Sequence, residues 1–305
     1  MNSKLVIGLF AVTGGLGVGC GGGGSTSTNG TTVEGTNKAQ YAANTMTLPT
    51  GPTQLAIDLN GDGMKDNRLG QIVGALSFAN INAQVTTQAS VTSGKAVLLF
   101  EEQSTDASQQ NAKNAGTRFS VGAKTTMPPK FDGSDTFMAE GTPSQFFGNI
   151  SAGTFTADSP VTATTPIQFT LSLPLVEGQD PLVLPITAGY ITYNVSATGV
   201  VTGGQMNGGV TKKDIDESII PTVAALLTAQ IKAAPSNMTL ASFDTDHNGV
   251  VTAAEVAANP TVSPFLAPDI QLFDAAGNYH PNKDNKTKDS LSIGVGFTAV
   301  KATWQ

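Results

Sequence analysis

Polar and apolar positions alternate along much of the middle of the chain. Ile167, Phe169, Leu171 and Leu173 are separated by Gln168, Thr170 and Ser172, the period of two that sends successive side chains to opposite faces of a half-buried strand. Shorter runs predict further strands at 96–101, 119–123, 135–139, 182–184, 190–195 and 199–202, and another at 291–297 near the C-terminus. Gly, Pro, Asn and Asp separate these runs at short intervals, as antiparallel connections require. The predicted fold class is α+β, mainly β, with an antiparallel β-sandwich or barrel-like domain.

Two stretches follow the helical period instead. Leu69, Ile72, Val73 and Leu76 stand at i, i+3, i+4 and i+7, which predicts a helix after an Asp-rich segment. Ile215, Ile219, Val223, Leu226 and Leu227 form a second stripe, running to about Ala233. Thr211-Lys-Lys-Asp214 resembles a capping box at its start, and Pro221 predicts a kink inside it. The stripe is assigned to core packing.

The N-terminus carries one basic residue, Lys4, then an apolar run from Leu5 to Val12 and small residues up to Cys20. This is the layout of a secretory signal, and the run is too short to cross a bilayer as a helix. Cys20 is the only cysteine, so no disulfide can form within one molecule. Its place at the end of the apolar run, after Val18 and Gly19, resembles the bacterial lipoprotein cleavage box, in which the cysteine becomes the lipidated first residue. The match departs at Gly17, where that family prefers Leu, and Leu16 stands one place further back. The implied organisation is a signal peptide over 1–19, a flexible Gly/Ser/Thr tether over 20–50, a mainly β domain over 51–234, and a C-terminal segment over 235–305. The resemblance implies a lipid-anchored protein of the cell envelope, at the outer membrane or cell surface.

Candidate chemistry is concentrated in two acidic stretches. In FDTDHNGVVTAAEV, Asp244, Asp246, Asn248, Thr252 and Glu255 fall at positions 1, 3, 5, 9 and 12, Gly249 falls at 6, and Val250 at 7 offers its carbonyl. Alternate oxygen donors closed by a Glu at 12 suit a hard cation that takes six to eight oxygens. The stretch resembles the EF-hand calcium-binding loop, which implies calcium (Ca2+) as the ligand and a small helical EF-hand module around it. Pro235 and Pro260 keep both flanking helices short. In LAIDLNGDGMKDNRL, Asp58, Asn60, Asp62 and Asp66 repeat positions 1, 3, 5 and 9 with Gly63 at 6, but Leu69 stands at 12. That stretch serves equally as a weaker calcium loop or as an Asp-capped turn. A third Asp/Asn cluster, at 274–289, keeps no register and contains three lysines, and is read as a solvated hairpin loop.

A formal net charge of −7 over 305 residues argues against a nucleic-acid partner. The two histidines, His247 and His280, have no nucleophile motif beside them, and hydrolase and phosphate-loop signatures are missing from the sequence. Glu101 and Glu102 are adjacent on a predicted strand and therefore point to opposite faces, so they cannot act as a pair. The sequence thus predicts a calcium-binding, lipid-anchored surface protein with a binding or structural role and an unidentified protein or glycan partner. An envelope hydrolase using carboxylates of the β-domain is the alternative.

Overall fold

Eight antiparallel strands close into a ring in the computed structural model, which describes residues 33–78, 81–157, 166–179, 181–235 and 237–305. The predicted signal peptide and Cys20 lie outside the described residues. The first strands are β1 (Asn37–Thr47), β2 (Val97–Ser104), β3 (Ala112–Gly122), β4 (Thr136–Phe137), β5 (Ala139–Ser151) and β6 (Thr154–Ala157). They are followed by β7 (Phe169–Leu173), β8 (Leu182–Val195), β9 (Val201–Thr211), β10 (Ser290–Lys301) and β11 (Thr303–Trp304). Around the ring the order is β1, β2, β3, β5, β6, β8, β9, β10 and back to β1. β7 pairs with the first half of β8, and β4 with β11 makes a short parallel ribbon outside the ring.

A barrel of eight strands has an interior just wide enough for side chains to fill. Here Phe100 stacks on Phe297 at 4.5 Å between ring centroids, and Phe155 stacks on Tyr193 at 5.3 Å. Alternation along β2 sends Leu98, Phe100 and Glu102 inward together. Glu102 is fully buried, and neither carboxylate oxygen has a well-formed hydrogen bond. The neighbouring Tyr193 hydroxyl is bonded to Thr117 Oγ1. Glu101 points outward, where Lys38 Nζ, Arg118 Nη2 and Gln40 Nε2 contact its carboxylate at 3.1, 3.0 and 2.9 Å. The two carboxylates do occupy opposite faces.

Two expected boundaries shift. The expected tether over 20–50 includes β1, whose Tyr41, Ala43 and Met46 enter the barrel core. Small residues and a bulge between Ala43 and Thr45 hide its alternation. The segment 235–305 is not a unit apart from the β domain either, because β10 lies between β1 and β9.

The helices share the barrel's apolar cluster. They are α1 (Leu69–Phe78), α2 (Ala83–Thr92), α3 (Lys212–Asp214), α4 (Ile220–Ala233), α5 (Met238–Ala241), α6 (Ala253–Ala258) and α7 (Ser263–Leu266). Both predicted stripes are buried, and Ile72 and Leu76 of α1 line one small apolar cavity with Val223 and Leu227 of α4. Thr211 caps α3 by accepting from Asp214 N–H. Where a kink was expected there is a π-helical turn over Ile215–Ile219, ending two residues before Pro221. The wider turn accommodates the missing N–H and the ring.

A second layer covers the outside of β8, β9 and β10, where Leu59, Ile270 and Leu272 pack with Ala188. The strands admit it through their glycines: a Cβ on Gly209 would stand 2.5 Å from Leu272 Cδ1. The expected solvated loop over 274–289 follows this layer and has no buried residue, with Tyr279 partly buried against the layer. The stretch before α1 is fixed at Leu55, whose carbonyl accepts from Asn207 Nδ2 at 2.7 Å and Asn67 Nδ2 at 3.1 Å.

Candidate metal centres

Asp244, Asp246 and Glu255 each bring a carboxylate oxygen to within 4.8 Å of the others. Local hydrogen bonds produce this arrangement. Asp244 is buried and accepts from Asn248 N–H at 3.0 Å and Gly249 N–H at 2.7 Å, curling the chain around its own carboxylate. Asn248 Oδ1 accepts from Val250 N–H at 2.8 Å. His247 (φ +56°) and Gly249 (φ +81°) occupy the left-handed region that this curl needs.

Glu255 closes the loop from the first turn of α6. Its Oε2 accepts from the backbone N–H and hydroxyl of Thr252 at 2.8 and 2.9 Å, and its Oε1 from the N–H and hydroxyl of Thr245 at 2.7 and 2.8 Å. The Thr252 half is a capping box, with Thr252 Oγ1 accepting from Glu255 N–H in return. These bonds, Thr252 N–H first, hold the Glu255 carboxyl down at about 2. Glu255 is therefore ionised and held facing Asp244 and Asp246. Thr228 fastens the far side of the loop, exchanging hydrogen bonds with the backbone of Val251, whose side chain is in the core.

The first acidic stretch follows the same hydrogen-bond pattern. Asp58 accepts from Asp62 N–H at 3.2 Å and Gly63 N–H at 2.9 Å, Asp62 Oδ1 accepts from Met64 N–H at 2.8 Å, and Gly61 and Gly63 have positive φ. Asp58, Asp62 and Asp66 again bring carboxylate oxygens within 4.8 Å. Leu69, at position 12, is buried in the core, so no side chain closes this loop from α1. Burial, then Asp269, then Asp62 and Asp58 push the Asp66 carboxyl up to about 7. Asp269, ion-paired to Arg68 Nε at 3.8 Å, is remote from Asp66 along the chain, and nothing in the local spacing points to it.

The curl alone does not identify a metal site. Asp106 accepts from Gln110 N–H and Asn111 N–H in the same way, with Gln109 at positive φ, yet Ser108 and Gln110 stand where the acidic loops carry Asp and Asn side chains. The two candidate centres differ from that turn in gathering carboxylates.

The fold and site thus define a mainly β protein built on a closed eight-stranded antiparallel barrel with two converging carboxylate loops on its surface. No family model, curated protein or solved structure matches the chain.

Proposed function

We propose that this is a calcium-binding protein of the cell envelope, lipid-anchored through Cys20, with a binding or structural role. The observation that carries the reading is the return of Glu255 across its loop to Asp244 and Asp246. An EF-hand-type site would take Asp244, Asp246, Asn248, the Val250 carbonyl, Thr252 and both oxygens of Glu255, all oxygen donors suited to calcium. Three converging negative charges repel one another, and a divalent cation relieves that repulsion. Asp58, Asn60, Asp62 and Asp66 would form a second, weaker site, since no residue supplies the closing bidentate carboxylate.

Calcium titration calorimetry separates the two sites. Glu255→Ala removes the tighter event, expected at a Kd on the order of 0.1–1 mM because position 5 is Asn248 and the flanking helices are short. Asp62→Asn removes only the weaker event. Two sites of equal affinity, or a tighter site lost with Asp62→Asn, would contradict the ranking.

The anchor has its own test. Cys20→Ser should leave the protein unprocessed or release it from the membrane fraction. Unchanged membrane association on fractionation would remove the lipid from the account.

The competing hydrolase reading cannot use Glu101 and Glu102, which the barrel wall separates. Glu140 and Asp214 share a groove, but Asp214 Oδ2 accepts from the Thr211 hydroxyl at 2.6 Å at the start of α3.

A further inference from the structure

The barrel is closed by β6 over only part of its height. β6 pairs with Gly148–Ser151 of β5 and with Thr192–Asn194 of β8. Among the described residues, β5 from Glu140 to Phe147 is paired with β3 alone and β7 with β8 alone, so two strand edges flank a seam. Ser144 Oγ spans it, donating to the Gln168 carbonyl at 2.8 Å.

A groove of about 570 Å³ lies along this seam, within the range of pockets that hold small ligands. Phe119, Phe169 and Phe273 give it apolar walls, and Glu140 and Asp214 give it carboxylates. Among the described residues lining it there is no Lys, Arg or His. Thr187 also lines it, buried at 4% exposure, and its hydroxyl has no hydrogen-bond partner. A buried hydroxyl left in that state is destabilising, and a hydrogen-bonding ligand would relieve it.

We infer that this groove binds a neutral polyhydroxylated ligand, a short oligosaccharide. An anion would meet two carboxylates and no cation. An apolar ligand would bury the strand edges and Thr187 without satisfying them. Sugar hydroxyls both donate and accept, so they serve the carboxylates and the Thr187 hydroxyl together. The C–H faces of a sugar ring suit the phenylalanine walls. An extended peptide is the weaker fit. β5 and β7 run antiparallel to each other, so an inserted strand would lie parallel to one of them, and its backbone would not serve a hydroxyl in the groove wall.

The test is titration calorimetry of the full chain in chelator, which separates it from the calcium sites, with maltotetraose, cellotetraose and tetra-N-acetylchitotetraose. An alternating Thr/Val octapeptide runs in parallel. One of the three sugars should bind saturably, and Thr187→Val and the exposed-site variant Gln168→Ala should each weaken it about tenfold or more while melting like wild type. If Thr187→Val fails to fold, Gln168→Ala decides. No sugar binding below about 10 mM, full affinity in the folded variants, or binding of the octapeptide in place of the sugars would overturn the inference.

Discussion

Glu102→Gln should make the protein more stable at pH 8 by about 3 kcal/mol and flatten its stability between pH 4.5 and 7. Glu102 is fully buried inside the barrel. Burial raises its carboxyl from 4.5 to about 7, Tyr193 partly offsets this, and Asp106 adds to it. The folded chain therefore holds a proton that the unfolded chain has released. The stability this gives is complete below pH 4.5, falls as pH rises through the window, and is fully lost above about 7. One pKa unit corresponds to about 1.4 kcal/mol, so the window amounts to about 3 kcal/mol. Glutamine has the same shape and no charge to bury. Asp66 titrates over a similar range, so the informative quantity is the difference between variant and wild type in denaturant melts from pH 4 to 8. Equal pH dependence in the two proteins, or a less stable variant at pH 8, would contradict this account of the barrel interior.

Gly294→Ala is the second large effect. A Cβ there would stand 2.1 Å from the Leu55 carbonyl oxygen and 2.3 Å from Asn207 Nδ2. It would displace the contact that fixes the start of the Asp58–Asp66 stretch to the outside of the barrel. Leu55 itself holds φ at +54°, a conformation its fixed carbonyl maintains. The expected cost is about 3 kcal/mol, at the upper end for overpacking, together with loss of the weaker calcium event and retention of the tighter one. Thermal melts and calcium titration read both. A variant as stable as wild type would mean that this layer is not held as described.

What the sequence revealed follows from how evenly each strand is buried. β7 alternates cleanly because one face meets the core and the other is more exposed. The start of β2 was legible as a continuous apolar run, with Leu98 and Phe100 inside the barrel and Val97 and Leu99 packed with Phe137 and Trp304 outside it. β9 was recognised only at its start. Its Val-Thr-Gly-Gly-Gln-Met-Asn-Gly-Gly run contacts the barrel interior on one side and Leu272 or Phe297 at glycine positions, so glycines replace the expected alternation. Most of β5 is polar because part of its edge borders the open seam. β1 reads as tether because Ala, Asn and Thr fill it, and only its pairing with β2 and β10 makes it a strand. The helical stripes were legible because their burial is one-sided. The π-turn was not, since Pro221 signals a disturbance without specifying its geometry.

The acidic stretches were legible as spacing, because a chain curling around a carboxylate is a local event. Asp244 and Asp58 need only the N–H groups four and five residues on. Contributions from distant parts of the chain were not legible: Asp269 beside Asp66, Thr228 behind Val251, and Asn67 and Asn207 on Leu55 all depend on the barrel bringing remote segments together. The spacing also matched a local turn that the Asp106 segment achieves with one carboxylate, so spacing alone could not separate a ligand set from a capped turn.

The most direct test of the central claim is a thermal melt of wild type and Glu255→Ala, each in millimolar calcium and in chelator. Glu255 also holds the Thr252 capping box, so the variant should melt lower in chelator, and only the calcium-dependent difference is informative. At ten times its Kd, calcium bound only to the folded chain stabilises it by about 1–2 kcal/mol, a rise of about 2–5 °C for a chain of this size. The account predicts that rise in wild type and only the weaker site's small remainder in Glu255→Ala. No calcium-dependent shift in wild type, or the whole shift retained in Glu255→Ala, would contradict it.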